Sequence, residues 1–119
     1  MKGTAIYAMA SAQLFDAAKT TDKEVNYVIQ FLNQMIVEAF PIENSIRRAE
    51  GREELTTPPL IKDATDDIPY SDSIVRVAFP EGLAARLWKE ELDEYTAQTC
   101  EMKYRQALND AQKAVFVTI

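Results

Sequence analysis

Histidine is absent from this chain, and cysteine occurs once, at Cys100. Those gaps remove several chemistries together. Without an imidazole there is no histidine base, and Ser-His-Asp and Cys-His triads are excluded. Structural zinc sites draw on sets of Cys and His that are missing here. A lone cysteine forms no internal disulfide, which fits a reducing compartment or a fold that does not depend on bridges. Glycine is scarce at three residues, and no glycine-rich phosphate loop, nucleophile elbow or dinucleotide fingerprint occurs. Positive charge is also short: 13 Lys and Arg face 19 Asp and Glu, a formal net charge of −6. A domain of this charge is repelled by phosphate. Its densest basic cluster, Arg47-Arg48, is followed by Glu50, Glu53 and Glu54, which argues against sequence-specific binding of nucleic acid. No apolar run approaches the roughly 18 uninterrupted residues of a membrane span.

What is present reads as one helical domain of 119 residues, and the apolar share of 47% and charged share of 27% are those of a globular chain. Ala, Glu, Gln, Leu and Lys are frequent, which favours helix over sheet. The start, MKGTAIYAMASAQLF, carries a Lys, a short apolar run and small residues like a signal peptide, but the run is interrupted. Ile6, Ala10, Leu14 and Ala17 instead share a helical face, predicting a packed helix over 3–18. Thr21-Asp22-Lys23-Glu24 has capping-box spacing, so Thr21 and Glu24 are expected to start a second helix. Its stripe is Val25, Val28, Ile29, Leu32, Met35, Ile36 and Ala39, and Pro41 is expected to end it at Phe40.

Residues 41–70 carry Pro41, Gly51, Pro58, Pro59 and Pro69, with apolar residues placed singly. The pattern predicts a short helix over Ile42 to Glu50 and an extended remainder. So long an irregular link is expected to be functional or held by a partner. Ser71 or Asp72 is positioned to cap a third helix, whose stripe of Ile74, Val77, Ala78, Leu83, Ala84, Leu87 and Trp88 is interrupted by Pro80. Pro80 is read as a fixed, shaping kink and Trp88 as a packed core residue. A fourth helix is predicted over 91–114, with Leu92, Tyr95, Thr99, Cys100, Tyr104, Ala107, Leu108, Ala111 and Val115 inward. Cys100 reads as a buried small residue. The end, Val115-Phe116-Val117-Thr118-Ile119, is β-branched and apolar and predicts a strand or docked tail.

The acidic run Glu90, Glu91, Asp93 and Glu94 is the strongest place to look for a carboxylate metal site. Adjacent carboxylates point around a helix rather than converging, and they fit a solvated helix start opposing the positive end of its dipole. Asp63, Asp66 and Asp67 lack the spacing of a calcium loop. The residues therefore predict an all-α fold: a small bundle of about four helices, a long extended proline-containing link and a C-terminal strand or tail. No catalytic, cofactor-binding or metal-binding residue is expected. Candidate contacts with neighbouring subunits or partners are Arg47, Arg48, Leu55, Pro58, Pro59, Leu60, Ile61, Val115, Phe116, Val117 and Ile119. The competing reading is a small acidic helical binding module, such as a dimeric regulator or inhibitor.

The order of these features resembles a known series. A Thr-capped helix like Thr21-Asp22-Lys23-Glu24 to Phe40 precedes a proline-rich link like Leu55-Thr56-Thr57-Pro58-Pro59-Leu60-Ile61. An Asp-rich turn then leads into Ile68-Pro69-Tyr70. After it come a helix like Ala78-Phe79-Pro80-Glu81-Gly82-Leu83-Ala84-Ala85-Arg86-Leu87 and a last helix with Tyr104-Arg105-Gln106-Ala107-Leu108. Across residues 20–113 this is similar to the head–tail connector (neck adaptor) proteins of tailed phages and prophages. The resemblance implies a non-enzymatic virion assembly protein made in the host cytoplasm. It would form a ring, often of twelve copies, beneath the portal, extend the DNA channel and dock the tail. DNA would pass through without sequence-specific contact, and an acidic wall suits that passage.

Overall fold

The sequence folds into helices that begin and end where its caps and packing allow, and not always where its prolines stand. The structure, a computed structural model, describes residues 1–12, 22–90 and 93–117, with side chains given for 1–11, 27–90 and 93–113. Helix α1 spans Gly3–Ala12, and its Ile6 and Ala10 are fully buried. Leu14, Ala17 and Thr21 lie outside the described residues, as does the side chain of Glu24, so the predicted capping box is not placed.

Helix α2 runs unbroken from Asp22 to Ala49 with Pro41 inside it, which corrects the expected end at Phe40. The amide that Pro41 lacks would have bonded to the carbonyl of Val37. Val37 is 53% exposed and Pro41 is also exposed, so water can take up that carbonyl. Val28, Leu32, Met35, Ile36, Ala39 and Ile46 continue one buried stripe through the proline. What stops α2 is Gly51. With φ at 74° it takes the left-handed conformation that favours glycine. The Gly51 amide then donates to Arg48 O at 3.2 Å and the Arg52 amide to Arg47 O at 2.8 Å, a Schellman closure.

Expected side-chain caps from Ser71 or Asp72 are not made. Asp72 is itself helical and its carboxylate pairs with Arg76 at 3.3 Å, while the carbonyl of Ser71 accepts from Ile74 and Val75. The chain then widens into π-helical turns over Ser73–Ala78 and tightens into helix α3, Phe79–Glu90. Pro80 sits just after the widened turns, which make room for a ring without an amide. The wider period also moves the stripe. Val75 and Phe79 are buried, and Val77, expected inward, is 57% exposed.

Helix α4, Glu94–Val117, is capped by Asp93, whose carboxylate accepts from the amide of Thr96 at 3.1 Å and its hydroxyl at 2.9 Å. Asp93 and Glu94 thus form the helix start expected of the acidic run, whereas Glu90 is the last residue of α3 and Glu91 lies outside the described residues. Val115, Phe116 and Val117 continue the helix, which corrects the predicted strand or tail for those three. A helix already packed through Cys100, Tyr104, Leu108 and Ala111 propagates past β-branched residues at a cost of only tenths of a kcal/mol. Ile119 lies outside the described residues.

Among the described residues there is no strand, only an isolated antiparallel bridge between Lys2 and Asp67. The protein is a small all-α bundle. Helix α3 packs against α1, α2 and α4. At the crossing of the last three, Gly82 faces Met35 and Tyr104 so closely that an added Cβ would lie 2.5 Å from Met35 Sδ.

Candidate assembly surface

The link between α2 and the π-helical turns is held by its own chain. Two helix-borne amides grip it. Asn33 donates through Nδ2 to Ile61 O at 3.0 Å and accepts the Ile61 amide on Oδ1 at 2.8 Å. Asn44 does the same with Leu55, at 3.0 and 2.8 Å. Near the end of α2, Arg47 pairs with Glu43 at 2.9 Å and donates to the carbonyls of Glu53 and Pro69. Glu43 is fully buried, and its carboxylate also accepts the Ser71 amide at 2.6 Å. The Tyr70 hydroxyl donates to Ile36 O at 2.6 Å. Burial raises the Tyr70 phenol well above its ordinary value, and the charge of Glu43 adds to the effect.

The predicted contact residues therefore divide. Ile61 is buried and Arg47 is committed to the link, so both serve the fold. Leu55 packs partly against the core. Arg48 is exposed and pairs with Glu54 at 2.8 Å. Pro58 and Pro59 are half-buried and Leu60 is 58% exposed, leaving an apolar tip at the outer edge of the link. Val115, Phe116 and Val117 ride on the last turns of α4. The residues that matter most here, Asn33, Asn44 and Glu43, were not singled out from the sequence. For the two asparagines the one signal is that Asn is a poor interior helix residue, and α2 carries three, at Asn26, Asn33 and Asn44.

A second polar cluster ties α2 to α3 and α4. Glu38 accepts from Arg86 at 2.6 Å, Arg105 at 2.8 Å and the Tyr104 hydroxyl at 3.2 Å. Both guanidiniums also stack on the Tyr104 ring, at 5.5 and 5.2 Å from its centroid. Tyr104 is fully buried; burial first, and Glu38 second, hold its phenol far above the ordinary value. Trp88 packs half-buried against the core, and Cys100 is buried with its thiol pushed up by desolvation and by Glu81. Tyr95 and Thr99, expected inward, face solvent, Tyr95 at 83%. Nine residues separate Tyr95 from Tyr104, two and a half turns, which sets them on opposite sides of α4.

Two open grooves stand out among the described residues. One of about 640 Å³ lies between α2, α3 and α4, with Phe31, Ala85 and Ala97 among its lining and charged residues at its rim. The other, about 460 Å³, runs between the π-helical turns and α4. Among the described residues, no group of three or more His, Cys, Asp or Glu is placed to hold a metal ion, and no helix is long and apolar enough to cross a membrane. Compared with protein-family models, with curated proteins and with solved structures, the chain matches none.

Proposed function

We propose that this chain is a structural assembly protein that works as a head–tail connector subunit. Its copies would form a ring beneath the portal of a tailed phage, extend the DNA channel and dock the tail. The observation that carries this reading is the pairing of a rigid bundle with apolar surface on two separate flanks. Asn33 and Asn44 fall on one flank of α2 and hold the link whose tip is Pro58, Pro59 and Leu60. Gln34 and Glu38 fall on another and reach α3 and α4, where Tyr95 and Met102 of α4 are exposed. A closed ring needs two different complementary surfaces on each subunit. The net charge of −6 suits a wall past which a duplex slides.

The test is reconstitution. The purified chain is examined alone and mixed with a tailed-phage portal protein, by native mass spectrometry and electron microscopy. A ring on the portal is the expected result; a chain that forms neither a ring nor a portal complex overturns the reading.

A further inference from the structure

The α4 wall of the groove between the π-helical turns and α4 carries charges that match a copy of itself. Ser73, Val77 and Glu81 form one wall, and Lys103, Ala107 and Asp110 stand on the other. We propose that this groove is a contact between two copies of this chain, related by a two-fold axis passing beside Gln106 and Ala107.

Lys103 and Asp110 are seven residues apart, two helical turns, and so occupy the same face of α4. Turning a second α4 antiparallel about the midpoint between them places each Lys103 against the partner's Asp110, making two equivalent ion pairs. Lys103 forms no ion pair with any described residue of its own chain. Asp110 accepts from Gln106 at 2.8 Å and retains lone pairs for a second donor. Between the charges the surface is small and apolar. Ala107 is partly buried and Ala111 almost wholly so, which lets a second helix approach closely. Beside them stands Val77, 57% exposed because the π-helical turns rotate it outward. A self-complementary patch closes as a dimer and does not propagate. With few residues on each side it belongs among weak, transient contacts. The contact holds whether or not the chain also enters a ring.

Sedimentation of the purified full chain over a wide concentration range tests it. The chain is expected to pass reversibly from monomer to dimer. K103E alone, or D110K alone, turns both opposite-charge contacts into like-charge ones and is expected to weaken association about tenfold or more. Mixed in equal amounts, the two variants meet with opposite charges at both positions, and association returns to the level of the unaltered chain. The double variant K103E/D110K behaves the same way. Both positions are exposed, and unchanged circular dichroism of each variant shows that the fold is intact. V77D is expected to abolish the dimer. A monomer at every concentration, or a mixture no more associated than either single variant, overturns the proposal and leaves the groove to a different partner.

Discussion

At Gly82 the missing side chain is itself a packing element. An added Cβ would meet Met35 Sδ at 2.5 Å and Tyr104 Cδ1 at 2.8 Å. Alanine is the better helix former by about 1 kcal/mol, yet overpacking at such distances costs about 1–3 kcal/mol. Gly82→Ala is therefore expected to lower the melting temperature followed by circular dichroism, against its propensity. Tyr70 and Tyr104 make the second case. Burial raises both phenols above the ordinary 10.0, so the folded state favours their neutral forms. Their contribution to stability is complete below that value and is lost as pH rises above it towards the raised values. Phenolate absorbance from these two residues should thus appear together with loss of helical signal. A Tyr70→Phe, Tyr104→Phe double variant should lack that late amplitude, and early ionisation of either residue in folded protein would refute the assignment.

Among the elements, the link shows how a segment without secondary structure stays ordered. Each of Asn33 and Asn44 satisfies both polar groups of one link residue. Removing one leaves two peptide groups without those partners, at about 1–3 kcal/mol if they stay shielded from water. Asn44→Ala is expected to expose the Leu55 side of the link to limited proteolysis and Asn33→Ala the Ile61 side, each mapped by its cleavage site. The same elements show what the sequence made legible. The stripe of α2 could be read because one face is buried over five turns, from Val28 to Ile46, and Asp93 with Glu94 marked the start of α4. Pro41 misled because a proline inside a helix removes one hydrogen bond without disturbing the buried stripe, and Val37 and Pro41 both lie on the exposed side. Val77 misled because a period of 3.6 does not hold through π-helical turns. The clamps were hidden because an Asn on a helix looks like any solvated polar residue until its partner, distant in sequence, is known.

On the scale of the molecule, charge separates the roles this bundle can take. A net charge of −6 repels phosphate at long range. Fluorescence anisotropy with duplex DNA is expected to show no binding even at low ionic strength, where cationic sites would be strongest. Saturable binding there would contradict a role as channel wall. Ring formation draws on the link tip and the α3–α4 side, whereas two-fold pairing would cover only the groove beside α4. Reconstitution with the portal and sedimentation of the chain alone therefore report on different surfaces, and either can fail without the other.

The two asparagine clamps also fix a length. Asn33 and Asn44 are eleven residues apart, about 16 Å along the helix axis, while Leu55 to Ile61 could stretch to about 20 Å. A tight turn, in which the Leu60 amide reaches Pro58 O at 2.9 Å, takes up the slack. The helix thus acts as a ruler for the segment laid along it. Losing one residue between Leu55 and Ile61 would use up that slack and gaining one would enlarge the turn, whereas the Glu50–Glu54 turn lies outside the measured interval.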